Sequence, residues 1–234
     1  MKAIIIAAGD SSRLWPRTNK TPKTLLPFGK GSILSTIMSS LSLSGITEFA
    51  IVLGFEADLI RNYLEENNFF GFKTTIVLNQ DYQKGNGLSV MMAEELVGNE
   101  DFILSMSDHV VTQMAIKRVV NSNETKNLLL VDKKVERIFD KEDATKVHCQ
   151  DNRILNINKN LSDYNGIDCG IFRLNDRFFS AMRIKMEEGK DSISAGIKEL
   201  IRNNDMLAIF MENHERWIDI DTPQAYQFAL KMDF

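Results

Sequence analysis

An α/β fold, a Rossmann-like, mainly parallel mixed sheet flanked by helices with a small β-containing extension, is predicted by three features of the sequence. Short runs rich in Ile, Val and Leu alternate with longer segments of helical period, the pattern of successive βα units. The first run, Lys2 to Ala8, is apolar on both faces, as in a strand covered by helices on each side. After Asp132 the rhythm changes to closely spaced short strands. In chain order, strands are expected at Lys2 to Ala8, Glu48 to Gly54, Lys73 to Leu78, Asp101 to Met106 and Asn127 to Val131. Helical periods fall between them at Ser32 to Leu43, Ala57 to Glu66, Leu88 to Leu96 and Gln113 to Asn121. Ala144 to Cys149 and Arg153 to Ile157 flank Gln150-Asp151-Asn152 and read as a hairpin. An extended run Ile167 to Leu174 follows, then helices Asp176 to Glu188 and Ser192 to Asn203, a strand Met206 to Met211, and a closing helix from Pro223. No repeat, low-complexity tract or Pro/Gly-rich linker divides the chain, so a single domain over 1–234 is expected, with a βα core at 1–131 and a less regular part at 132–234.

The composition excludes several classes. With 234 residues, 44% apolar and 26% charged, the chain is neither disordered nor fibrous. Cys149 and Cys169 fit neither a disulfide framework nor a CxxC metal site, and read as reduced structural thiols of a cytoplasmic protein. No apolar run approaches the roughly 20 residues of a membrane span, and Ala3 to Ala8 is short for a signal peptide. A net charge of −4 argues against a nucleic-acid partner held by a global positive field. Locally, Arg13, Arg17, Lys20, Lys23 and Lys30 stand between Ser11 and Ser32 with no acidic residue, a segment suited to facing solvent or to holding an anion.

Four segments carry possible chemistry at the carboxyl ends of strands, where open α/β sheets bind ligands. The first strand empties into Gly9-Asp10-Ser11-Ser12-Arg13-Leu14, where backbone N–H groups could approach phosphate oxygens and Arg13 and Lys23 offset polyphosphate charge. Neither GxGxxG nor a P-loop is present, and an ordinary strand-to-helix turn explains the same residues. Asp108, after an apolar strand, is placed either as a hard oxygen ligand for Mg²⁺ or as a turn or helix-cap Asp, and the adjacent His109 reads either as a metal ligand or base or, as is commoner for a lone His beside a strand end, as a structural, hydrogen-bonded residue. In Trp217-Ile-Asp219-Ile-Asp221-Thr222-Pro223 the alternation puts both carboxylates on one side of an extended segment; Asp221 reads equally as helix N-cap or metal ligand. Asn79 to Ser89 is a polar, glycine-containing loop that is simple turn chemistry or a reader of a base edge.

Taken in order, these segments resemble the sugar-nucleotidyltransferase family, whose Gly-x-Gly-x-Arg-Leu followed by Pro-Lys is matched by Gly9 to Leu14 and Pro22-Lys23. Met106 to Val110, Ile157 to Leu161 before Tyr164-Asn165, Ile167 to Phe172, and Trp217 to Pro223 look most like inositol-1-phosphate cytidylyltransferases. Ser11 departs from the pattern by replacing its second glycine. The resemblance implies a nucleotidyltransferase fold and an Mg²⁺-dependent reaction of CTP with inositol 1-phosphate. It implies that Ala7, Ala8, Gly9 and Ser11 lie against the nucleotide, that Arg13 and Lys23 hold the triphosphate, and that Asn79, Asn86, Gly87 and Ser89 address the base. It further implies Asp108 and Asp221 as Mg²⁺ ligands with Asp219 as a secondary candidate, Lys159 on the acceptor phosphate, and Asp168 on the acceptor hydroxyls. The catalytic set would be Arg13, Lys23 and Asp108. Another acceptor, a hexose 1-phosphate or phosphocholine, is the alternative within the enzyme class; outside it stands a non-catalytic nucleotide-sugar binding module, which the presence of Lys23, Asp108 and Asp221 disfavours.

Overall fold

Strand β1 (Lys2–Ala7) forms where every position is apolar after Lys2, and its period of two divides it between two helical layers. Ala3, Ile5 and Ala7 face one layer, and Ile4 and Ile6 the other. The computed structural model describes residues 1–10, 12–14 and 21–234; Ser11, Arg17 and Lys20 of the basic segment lie outside them. From Pro22 the chain makes a short 3-10 turn at Lys23–Leu25 and a two-residue hairpin, β2 (Pro27–Phe28) and β3 (Gly31–Ser32). Helix α1 (Ile33–Leu43) starts on a capping box, with Ser32 Oγ accepting from the Ser35 N–H and Ser35 Oγ from the Ser32 N–H. Then come β4 (Glu48–Leu53), α2 (Ala57–Glu66), β5 (Lys73–Leu78), α3 (Asn86–Met91), α4 (Glu94–Val97), β6 (Phe102–Met106), β7 (His109–Val111), α5 (Gln113–Val120) and β8 (Asn127–Asp132). The second half runs β9 (Lys146–Gln150), β10 (Arg153–Asn158), β11 (Gly166–Leu174), α6 (Asp176–Glu187), α7 (Ile193–Arg202), β12 (Met206–Phe210), β13 (Trp217–Asp219) and α8 (Pro223–Ala229).

The expected elements are present, with one substantive change. The helix expected over Leu88 to Leu96 is two helices, broken at Ala93 (φ −97°, ψ 4°), and the break keeps Val90, Ala93 and Val97 buried in the same layer. The hairpin β2–β3 and strand β7 are too short to leave a periodic signal in the sequence.

The main sheet has the order β5-β4-β1-β6-β11-β8-β12-β10-β9, with β11 also reaching β9. β5, β4, β1 and β6 are mutually parallel, as are β8 and β12. β11 runs against both β6 and β8, and β10 against β12 and β9. The β9–β10 hairpin, turned at Asp151 with φ +52°, therefore extends the sheet rather than standing apart from it. One apolar layer takes Leu34, Leu41, Leu64 and Ile116, the other Val90, Phe178, Phe179 and Ile197, all essentially inaccessible. Among the described residues no helix is long and apolar enough to cross a membrane. Cys149 and Cys169 are unbridged and buried, and burial raises both thiols, Cys149 to about 11.

What matters for function is the register of the parallel half. Ile6 lies opposite both Val52 and Met106, so β1, β4 and β6 end along one edge of the sheet. The Ser107 N–H donates to the Ile6 carbonyl (3.3 Å), which starts the turn carrying Asp108 beside the loop that leaves β1.

Candidate active site

Three chain segments far apart in sequence meet at that edge. Strand β13 pairs antiparallel with β7, placing Asp219 opposite His109, and the Ile220 N–H donates to the Asp108 carbonyl (2.9 Å). This small ribbon brings Asp108 and Asp221 together. Thr222, not Asp221, caps α8, its Oγ1 accepting from the Ala225 N–H (3.1 Å), so of the two roles open to Asp221 the N-cap is excluded. Lys23, fixed by its 3-10 turn, donates from Nζ to both Asp108 and Asp221. Arg13 donates to Asp221 and Asp143.

Burial and mutual charge shift the pKa values of Lys23, Asp108, His109 and Asp219. Burial alone would discharge Lys23, but Asp108, Asp221 and Asp219 around it outweigh that cost and raise its pKa above the usual lysine range. Burial likewise works against ionised Asp108, and Lys23 and His109 overcome it, so its pKa is lowered. His109, held by Asp219 and Asp108 against its own burial, is raised to about 10 and is an imidazolium near neutral pH. Its Nδ1 donates to Asp108 Oδ1 (2.7 Å), and its ring stacks on Trp217 with centroids 5.7 Å apart. Asp219 is pushed up, first by burial and then by its acidic neighbours Asp108 and Asp221. Among the described residues its buried Oδ1 has no hydrogen-bond partner.

Two cavities open on either side of this cluster. One, about 230 Å³, is walled by Ala7, Gly9, Arg13, Pro22 and Lys23 from the first part of the chain. The other, about 480 Å³, takes most of its wall from residues 132–232, including Asp143, Lys159, Asp168, Trp217 and Asp219. Asn86, Met106, Asp108 and Asp221 belong to both walls.

In the larger cavity Asp168 is raised to about 6, because burial outweighs the Gly170 N–H donated to its Oδ1 (2.8 Å) and the nearby His109 charge. Gly170 has φ +74°, and a Cβ there would stand 2.5 Å from the His109 ring. Gly170→Ala is therefore expected to lower stability by about 1–2 kcal/mol from backbone strain alone, read as a fall in the urea midpoint; an unchanged midpoint would show that the β11 bulge tolerates a side chain. Lys159 Nζ donates to Asp143 Oδ1 (3.0 Å), so Asp143 links Lys159 to Arg13. These two donors hold the Asp143 carboxyl below its ordinary value in spite of partial burial.

The base-reading residues expected from the sequence are divided. Asn86 stands on both cavity walls, whereas Asn79, Gly87 and Ser89 are on neither. Asn79 is buried, its amide donating to Ser89 Oγ (2.9 Å) and its oxygen accepting the Asp81 N–H (2.9 Å), which makes the pair an internal brace of the loop. Ala8 is also absent from the walls; its carbonyl accepts the Phe55 N–H (3.1 Å). Asp143 is a polar member of the cluster that sequence reasoning left out, whereas His109 was named there and hydrogen-bonds to Asp108. The acid-free basic segment drew attention to cations, while Asp143 lies in an irregular loop with no local pattern to mark it.

Relatives share this arrangement of chain. The model of the nucleotidyl transferase family matches residues 2–233. The bifunctional IPC transferase and DIPP synthase of Aquifex aeolicus is 30% identical over 231 residues, covering 98% of this chain and 51% of that protein. The protein of the same description from Thermococcus kodakarensis is 31% identical, covering 99% of this chain and 50% of its own length. The chain thus spans about half the length of these curated relatives. The inositol-1-phosphate CTP transferase from T. maritima superposes with a TM-score of 0.86 at 27% identity, over 98% of this chain and 95% of that one. With the family match running through both cavity-forming halves and the carboxylates between them, the chain belongs to the nucleotidyl transferase family.

Proposed function

We propose that the protein catalyses the Mg²⁺-dependent reaction of CTP with inositol 1-phosphate, giving CDP-inositol and pyrophosphate. The observation that carries this reading is the wall shared by the two cavities: Asp108, Asp221 and Asn86 stand between a cavity that holds Arg13 and Lys23, the cations available to a nucleotide's phosphates, and a larger one lined by Lys159 and Asp168. Similarity to the inositol-1-phosphate CTP transferase from T. maritima supports the choice of base and acceptor. Residues 1–131 would supply most of the nucleotide side and residues 132–234 most of the acceptor side, with Asp221 crossing from the second to the first.

An oxygen of the acceptor phosphate attacks the α-phosphorus in line, forming the new P–O–P bond. The bond from that phosphorus to the α–β bridging oxygen breaks, and the electron pair leaves with pyrophosphate. The attacking oxygen is already anionic near neutral pH, so no protein base is required and the residues act by positioning and charge neutralisation. Lys23 and Arg13 would turn from their carboxylate partners to the triphosphate, Lys159 from Asp143 to the acceptor phosphate, and Asp168 would accept from acceptor hydroxyls.

The residues fit a hard divalent cation. Asp108, Asp219 and His109 each bring one potential ligand atom within 4.8 Å of the others, and the buried Asp219 Oδ1 has no hydrogen-bond partner among the described residues. Because His109 Nδ1 faces Asp108 as a donor, the oxygen ligands would come from Asp108 and Asp221, with Asp219 beside them. Bound there, Mg²⁺ supplies Lewis-acid neutralisation of the α-phosphate charge.

The test is pyrophosphate release with Mg²⁺ over CTP, UTP, ATP, GTP and dTTP against inositol 1-phosphate, glucose 1-phosphate and phosphocholine. Release confined to CTP with inositol 1-phosphate is the expected result; turnover of another pair, with none of this one, would replace the substrates. Lys159→Ala is expected to raise the acceptor KM about tenfold, the scale of one charge-assisted bond, with the nucleotide KM little changed. An unaltered acceptor KM would remove Lys159 from the acceptor site.

A further inference from the structure

Helix α3 begins at Gly85, a residue with no side chain to cap it, yet its first turn is not left without acceptors. Asp191, from the segment between α6 and α7, provides them from more than a hundred residues away. Its Oδ2 accepts the Gly85 N–H (2.7 Å), and its backbone carbonyl accepts the Gly87 N–H (2.9 Å). In return Asn86 Oδ1 accepts the Ile193 N–H (2.9 Å). The approach is close enough to demand glycine on both sides of Asn86. A Cβ on Gly85 would lie 2.1 Å from Asp191 Oδ1, and one on Gly87 2.6 Å from the Asp191 carbonyl oxygen.

We propose that Asp191 is a positioning residue for the nucleotide, fixing the Gly85–Gly87 loop and with it Asn86 at the wall that the two cavities share. Asn86 has its oxygen occupied by Ile193, which leaves the amide N–H₂ as the group it can offer a ligand. That orientation is set by a segment whose next residues, Ile193 and Ser194, wall the acceptor cavity. A loop held only by its own turn would lose conformational freedom on nucleotide binding, whereas three cross-chain bonds remove that cost beforehand. The effect belongs in nucleotide affinity and not in the chemical step, since Asp191 lines neither cavity.

The proposal rests on the smaller cavity being the nucleotide site, and the experiment separates the two. Steady-state kinetics of Asp191→Ala and Asp191→Asn are measured on the full chain with each of the five triphosphates and inositol 1-phosphate, alongside amide hydrogen exchange of Gly85 and Gly87. Asp191→Ala is expected to raise the KM of whichever triphosphate the native enzyme uses by about tenfold, with the acceptor KM within about twofold. Asp191→Asn keeps an oxygen that accepts from Gly85 and should remain within about threefold of native. An unchanged nucleotide KM in Asp191→Ala, an equal rise in both KM values, or Asn failing as Ala does would overturn the role. A base other than cytosine would overturn only the substrate proposed above. If no triphosphate is turned over, exchange decides: faster Gly85 and Gly87 exchange in the Ala variant alone supports the positioning role, and unchanged exchange overturns it.

Discussion

Lys23→Ala is expected to lower kcat by about 10²–10³, the scale of removing one preorganised donor to developing charge. The side chain is 13% exposed, lines the smaller cavity and donates to Asp108 and Asp221, two residues of the wall that the cavities share. Its raised pKa keeps it charged throughout the neutral range, and a fixed cation there is worth more than in water because the site is largely shielded from solvent. The loss has two sources: the triphosphate loses a counter-charge, and Asp108 and Asp221 are left facing each other and the incoming phosphates. Ground-state binding of the triphosphate would also weaken, so kcat and kcat/KM should both fall, the latter further. Lys23→Met separates charge from packing, since the thioether keeps most of the buried stem. Met should fall with Ala in turnover while holding the unfolding midpoint closer to native. Turnover within about threefold of native in Lys23→Met would mean that Lys23 serves only to pair the carboxylates.

The residues of the carboxylate–lysine cluster were visible in the sequence for unequal reasons. Asp108 follows a strand that is buried along its length, and Asp221 precedes a proline at a helix start, so both were placed at strand ends by local pattern. That they converge was not legible: Asp108 and Asp221 are brought together by the pairing of β7 with β13, and Lys23, 198 positions from Asp221, meets both. Strand β7, at three residues, is too short for any periodicity to announce. His109 was set aside for a related reason. A lone histidine beside a strand end is ordinary, and its charge state depends on Asp219, which reaches it only through that ribbon. The polar loop at 79–89 left two readings open, turn chemistry or a reader of a base edge. Asn79 and Ser89 lie close enough to satisfy one another, a buried brace that side-chain identity does not reveal. Asn86, on the same loop, differs because Asp191 and Ile193 hold it at the surface of both cavities.

Asp108→Asn should cost about as much as the loss of Lys23, for a reason the geometry makes specific. Asp108 uses one oxygen for Lys23 and the other for His109 Nδ1. Asparagine has the same shape but one oxygen and one N–H₂, so whichever way the amide turns it presents a donor to one of two cationic donors. The charge that would hold the divalent cation is lost as well. Turnover is expected to fall by about 10²–10³, and the affinity for Mn²⁺, titrated calorimetrically without nucleotide, by at least about tenfold, the effect of losing even a partner one bond further out. Removing one member of a buried charge cluster also destabilises, so the unfolding midpoint is measured in parallel. Asp221→Asn provides the comparison, because Asp221 pairs with Lys23 and Arg13 but not with His109. If both carboxylates hold the metal, both variants lose Mn²⁺ affinity and turnover together. A variant that loses turnover while titrating Mn²⁺ as the native protein does would reassign that carboxylate to orienting Lys23. Native turnover and native titration in both would remove the metal from this cluster.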